Sequence, residues 1–116
     1  MIVGKVIHGD GRGKSQGYAT ANLELGRERT LLEAGCYAAW AEFHGHKHPA
    51  ALIVGAQAAK VEVYLLDYVG PDFYGEEITV DPIKKVSEVM HVNSFPHLKA
   101  KMDQDIAWIK SILSVP

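Results

Sequence analysis

Oxygen donors, cations and glycines gather near the start of the chain, in His8-Gly9-Asp10-Gly11-Arg12-Gly13-Lys14-Ser15-Gln16-Gly17 followed by Thr20-Ala21-Asn22. Glycines let main-chain N–H groups approach phosphate oxygens closely, and Arg12 and Lys14 can offset phosphate charge. The ending Gly13-Lys14-Ser15 matches the tail of a phosphate-binding P-loop, but His8 stands where that motif needs its first glycine. A P-loop also leads into a helix, whereas Gly17 and Ala19 to Asn22 read as loop or strand, so the assignment fails. What remains is a general phosphate-contacting loop or an ordinary surface loop. On an extended backbone Thr20 and Asn22 point to the same side, where a hydroxyl and an amide oxygen can approach a magnesium–phosphate group. Ordinary bonds to the neighbouring backbone would occupy the same atoms.

The other groups with chemical potential are more scattered. In Val61-Glu62-Val63-Tyr64-Leu65-Leu66-Asp67, period two sets Val61, Val63 and Leu65 on one face and Glu62, Tyr64 and Leu66 on the other. Glu62 therefore shares a face with apolar neighbours, though a solvated outer-face carboxylate has the same pattern. His44-Gly45-His46-Lys47-His48 repeats imidazoles at every second residue, but its glycine and lysine suit a hairpin tip better than a metal site. Cys36, the single cysteine, lies in an apolar stretch and is expected to pack as a small buried residue. Trp40 and Trp108 are expected in the core.

Strands must carry most of these groups. Ile2 to Ile7 is β-branched and short; Tyr18 to Leu23, Gly35 to Phe43, Pro49 to Val54 and Val61 to Tyr68 follow at strand length, separated by turn-forming residues. Ile78 to Val80 and Ile83 to Val89 suggest further strands, with Pro82 marking an edge or bend. Closely spaced strands imply a mainly antiparallel sheet or barrel. From Ser94, a plausible N-cap, Phe95, Leu98, Met102, Ile106, Ile109 and Leu113 form the apolar stripe of one amphipathic helix that tolerates Pro96 in its first turn.

With 116 residues, 47% hydrophobic and 22% charged, the chain reads as one globular domain over 1–116. A net charge of −2, a pI near 6.3 and scattered basic residues give no stripe for nucleic acid. No apolar run approaches the roughly 18 residues that span a bilayer, and Met1-Ile2-Val3-Gly4-Lys5 lacks signal-peptide character, so a cytoplasmic location and no membrane partner are expected.

Taken in order, Gly4, Val6, Gly9, Gly11-Arg12-Gly13, Gly17, Thr20-Ala21-Asn22-Leu23, Gly35-Cys36-Tyr37-Ala38, Val61-Glu62-Val63, Leu66-Asp67, Asp72-Phe73-Tyr74-Gly75 and Asp105-Ile106 resemble the riboflavin kinase family. The resemblance covers nearly the whole chain and implies a six-stranded Greek-key antiparallel β-barrel with a C-terminal α-helix. It implies ATP and flavin at opposite ends of one crevice, and phosphate transfer from ATP to the 5′-hydroxyl of riboflavin to give FMN. Thr20 and Asn22 would engage Mg²⁺ and the ATP phosphates, Glu62 would be the general base, and Gly9, Gly11, Arg12, Gly13, Lys14 and Gly17 would cover the nucleotide. Riboflavin and ATP would be its partners, and a monomer is expected.

Three departures mark the chain. Ala19 stands where the family usually has proline, Ala56-Gln57-Ala58-Ala59-Lys60 replaces a longer loop, and Ser87, before Glu88, takes the place of a common arginine. They leave two alternatives to riboflavin phosphorylation: a flavin- or nucleotide-binding module without turnover, and a kinase with another acceptor or nucleotide donor.

Overall fold

The structure, a computed structural model, describes residues 2–7, 21–25, 32–55, 61–68, 75–88 and 95–116. Among these, β1 (Ile2–Ile7), β2 (Ala21–Leu25), β3 (Gly35–Phe43), β4 (His46–Val54), β5 (Val61–Leu65) and β6 (Glu77–Ser87) precede the helix α1 (Phe95–Leu113). The strands close into a barrel in the order β1-β2-β5-β4-β3-β6. Every neighbouring pair is antiparallel. β3, β4 and β5 run as a meander and β6 returns to lie beside β3, the Greek-key order.

Period two sorts the side chains into two cores. Inside the barrel lie Ile2, Val6, Leu23, Tyr37, Ala39, Ala41, Phe43, Ala50, Leu52, Val54, Val61, Val63, Leu65, Ile78 and Val80. Outside it, Cys36 and Ala38 of β3, Ala51 of β4 and Val86 of β6 form one cluster with Ile106, Ile109 and Leu113 of α1. Ala38 and Ala51 face each other in register and are both fully buried, a low floor that lets the helix approach the sheet. Ile109 is fully buried above that layer, a contribution of about 1.5–3 kcal/mol for a side chain of this size.

The helical stripe lands as its spacing requires at Met102, Ile106, Ile109 and Leu113. The helix ends in a left-handed residue, Ser114 at φ 56°, with Ser114 N–H bonded to Ser111 O at 3.3 Å and Val115 N–H to Lys110 O at 3.0 Å. This paired closure turns Val115 back onto the outer cluster. Trp108 sits beside the stripe rather than on it and is 51% exposed, which corrects its assignment to the core. Trp40 is partly buried against the helix-side cluster.

Two strand boundaries also differ from expectation. β4 begins at His46, because the two-residue turn His44-Gly45, with φ 51° and 77°, reverses the chain at once. β6 is one strand through Pro82 rather than two. Its register against β3 jumps from Ala39↔Pro82 to Ala38↔Lys84, leaving Ile83 as an extra residue. This one-residue slip reverses the faces as far as the next irregularity, so Ile78 and Val80 point into the barrel while Val86 points out toward α1. A second shift, from Tyr37↔Lys85 to Cys36↔Ser87, resets the alternation and turns Ser87, the last residue of β6, outward toward α1 as well.

Candidate functional site

Barrel closure brings together two residues that lie far apart in the chain. Asn22 of β2 and Glu62 of β5 are direct register partners, and both are half-buried on the outer face. Directly opposed residues on one face of an antiparallel pair have Cβ atoms about 4.5–5.5 Å apart, within reach of a single phosphate and its attacking hydroxyl. Leu23 and Val63, the next residue on each strand, are buried inside the barrel and fix which way the polar pair faces.

The pair belongs to a transverse row on the outer surface. Ile7 of β1 opposes Asn22, Ile53 of β4 opposes Glu62, Cys36 of β3 opposes Ile53, and Ser87 of β6 opposes Cys36. α1 packs on β3, β4 and β6, so it covers the far part of the row from Asn22. Ile53, Tyr64 and Leu66 of the barrel side and Ile112 and Val115 of the helix end are partly buried against the same cluster. An apolar margin thus begins one strand from Glu62, on the side away from Asn22.

A second polar cluster closes the row, and sequence reasoning missed it. Asp105 is 4% exposed. Its Oδ2 accepts hydrogen bonds from Lys101 Nζ at 2.6 Å and Ser87 Oγ at 2.9 Å, and Lys101 Nζ also donates to Ser87 Oγ at 3.0 Å. The available signal was the four-residue spacing of Lys101 and Asp105 beside the apolar stripe. Burial, and secondly the nearby Asp105 charge, push the Cys36 thiol up to about 12, so it stays protonated and inert at neutral pH. Cys36 is thus the buried residue its sequence context implied.

Lys85 bridges Glu33 at 3.2 Å and Glu88 at 2.8 Å, tying the entry of β3 to the exit of β6. The Glu88 hydrogen bond is the main reason its ammonium is held above the usual lysine value. Two histidines of the β3–β4 hairpin go to separate carboxylates: His44 to Glu76 at 3.0 Å and His48 to Asp67 at 2.9 Å. Among the described residues no group of three or more His, Cys, Asp or Glu side chains is arranged to hold a metal ion.

The remaining sequence-derived site residues, Gly9, Gly11, Arg12, Gly13, Lys14, Gly17 and Thr20, lie outside the described residues, as do residues 56–60, Asp72 to Tyr74 and Ser94. No helix of the described residues is long and apolar enough to cross a membrane.

The family model described as "Flavokinase: Riboflavin kinase" matches residues 1–113. The bifunctional riboflavin kinase/FMN adenylyltransferase of Listeria monocytogenes is 30% identical over 109 residues, covering 88% of this chain and 34% of that protein. The protein of the same name from Escherichia coli is 34% identical over 111 residues, covering 90% of this chain and 35% of the relative. The chain therefore spans about a third of the length of these curated relatives. Among solved structures, a protein described as a macrolide-efflux protein from Streptococcus pneumoniae superposes with a TM-score of 0.85 at 27% identity, covering 94% of this chain and 38% of that one. Riboflavin kinase from Trypanosoma brucei superposes with a TM-score of 0.75 at 21% identity, covering 99% of this chain and 77% of that one, a likeness of fold.

Proposed function

Because the chain belongs to the riboflavin kinase family, we propose that it transfers the γ-phosphate of ATP to the 5′-hydroxyl of riboflavin, giving FMN and ADP. The observation that carries this reading is the direct pairing of Asn22 with Glu62 on the outer face of the barrel. Phosphoryl transfer depends mainly on alignment and charge neutralisation, so an oxygen ligand beside a carboxylate base is an adequate protein contribution once a donor-rich loop covers the phosphates.

In this scheme Glu62 accepts the proton of the riboflavin 5′-hydroxyl as its oxygen bonds to the γ-phosphorus. The bond from that phosphorus to the β,γ-bridging oxygen breaks, and ADP leaves with the electron pair. Asn22, with Thr20, would hold Mg²⁺ and the ATP phosphates, while Gly9 to Gly17 would close over the nucleotide. The donor set fits such an ion: Mg²⁺ takes one or two hard oxygen ligands from protein and fills its shell with phosphates and water. When bound, it supplies charge neutralisation across the β- and γ-phosphates.

The strand order also supports a division of the site. Attacking and leaving oxygens lie roughly in line across the transferred phosphorus, so donor and acceptor approach from opposite sides. Asn22 lies on the β2 side of Glu62, which leaves the β4 side, where Ile53 begins the cluster under α1, to the acceptor. An apolar margin there suits a tricyclic ring better than a triphosphate.

Incubation with riboflavin, ATP and Mg²⁺, followed by chromatography, tests the reading. FMN and ADP are expected in equal amounts. Riboflavin binding without FMN, where a control riboflavin kinase works, would leave a binding module instead.

A further inference from the structure

The scheme above leaves the cluster of Ser87, Lys101 and Asp105 without a role. Lys101 and Asp105 stand four residues apart on α1, so their ion pair on its own does not hold the helix to the barrel. Ser87 does, because its hydroxyl donates to Asp105 and accepts from Lys101 while its backbone ends β6. A carboxylate as buried as Asp105 is costly to leave unpaired. The helix therefore cannot lift or rotate from this seat without breaking the arrangement.

The seat lies on the row that carries the reaction. Ser87 opposes Cys36, Cys36 opposes Ile53, and Ile53 opposes Glu62. Neighbouring strands are about 4.8 Å apart, so Ser87 lies about 14 Å around the barrel from the base, three strand spacings away. The stretch between them passes beneath α1, whose end and the following Val115 pack, through Ile112 and Val115, against the same cluster as Ile53, the register partner of Glu62. The position of the apolar margin is set by where the helix sits.

We propose that Ser87, acting through Asp105 and Lys101, is a positioning residue for the acceptor: it fixes the seat of α1 and thereby the apolar margin against which the riboflavin ring rests. This assignment rests on the kinase reading given above. It separates the substrates, because Asn22 and the nucleotide lie on the other side of Glu62 from the helix.

Steady-state kinetics of Ser87→Ala test it. The substitution removes the hydroxyl and leaves the ion pair within α1 intact. The KM for riboflavin is expected to rise about fivefold or more while kcat and the KM for ATP stay within about twofold, the pattern of lost ground-state binding of one substrate. Ser87→Thr, which keeps a hydroxyl, should restore most of the difference. An unchanged riboflavin KM, or equal rises for both substrates, would overturn the assignment. If Ser87→Ala does not fold, Lys101→Gln is assayed against the same criteria. Wild-type turnover is measured first: absence of FMN would remove the kinase reading and this assignment with it, whereas an active wild type with an indifferent Ser87→Ala removes only the assignment.

Discussion

Glu62 and Ser87 are both half-buried polar residues on outward faces of strands, and they were legible in the sequence to different degrees. Alternation in Val61 to Leu65 identified the face of Glu62, because period two needs only neighbouring residues. The contact of Ser87 with Asp105 depends on a bulge in β6 and on the rotation of α1, neither of which leaves a periodic trace. Cys36, in the same layer, supports a prediction about pH. Its thiol is held protonated to about 12 in the fold, chiefly by burial, against an ordinary value of 9.0. Below pH 9 both folded and unfolded chains keep this proton and the group is neutral in the balance. Between pH 9 and 12 only the unfolded chain loses it, so stability falls as pH rises, by at most about 1.4 kcal/mol per pH unit from this group. Urea unfolding at pH 8 and 10.5 should show Cys36→Ala losing less stability than the wild type over that interval. Equal losses would mean that the thiol titrates normally.

At the scale of elements, the strands β1, β3 and α1 were legible because each has a local period and ends at turn residues. β6 was read as two pieces because Pro82 usually breaks a ladder. Here the bulge after it absorbs the interruption and redirects Val86 to the helix. Trp108 was misplaced because large aromatics in small domains are usually buried, whereas the rotation set by Met102, Ile106, Ile109 and Leu113 turns it to solvent. The seam between β3 and β6 is the tightest of the described contacts around a glycine. A Cβ on Gly35 would lie 2.9 Å from Ser87 O and 2.6 Å from Lys85 Cε. The lysine can swing away, but the carbonyl belongs to the backbone. Gly35→Ala is therefore expected to destabilise the fold by about 1–3 kcal/mol, measured as a lower urea midpoint. A midpoint equal to that of the wild type would show that β6 shifts freely.

For the whole molecule, closure of the barrel is what turns separate residues into a site. β2 and β5 are separated in sequence by β3 and β4 and meet only because the β3-β4-β5 meander brings β5 back beside β2. Strand spacing and composition therefore announced a barrel, while the pairing of Asn22 with Glu62 required its topology. The helix adds asymmetry, covering β3, β4 and β6 and giving the outer row an apolar side and an open side. The measurement that tests this arrangement most directly is the paired turnover and ATP affinity of Glu62→Gln, a variant that keeps size and polarity but loses the proton acceptor. FMN formation is expected to fall by about 10²-fold or more while ATP binds nearly as tightly as to the wild type. Undiminished FMN formation by Glu62→Gln would contradict the account.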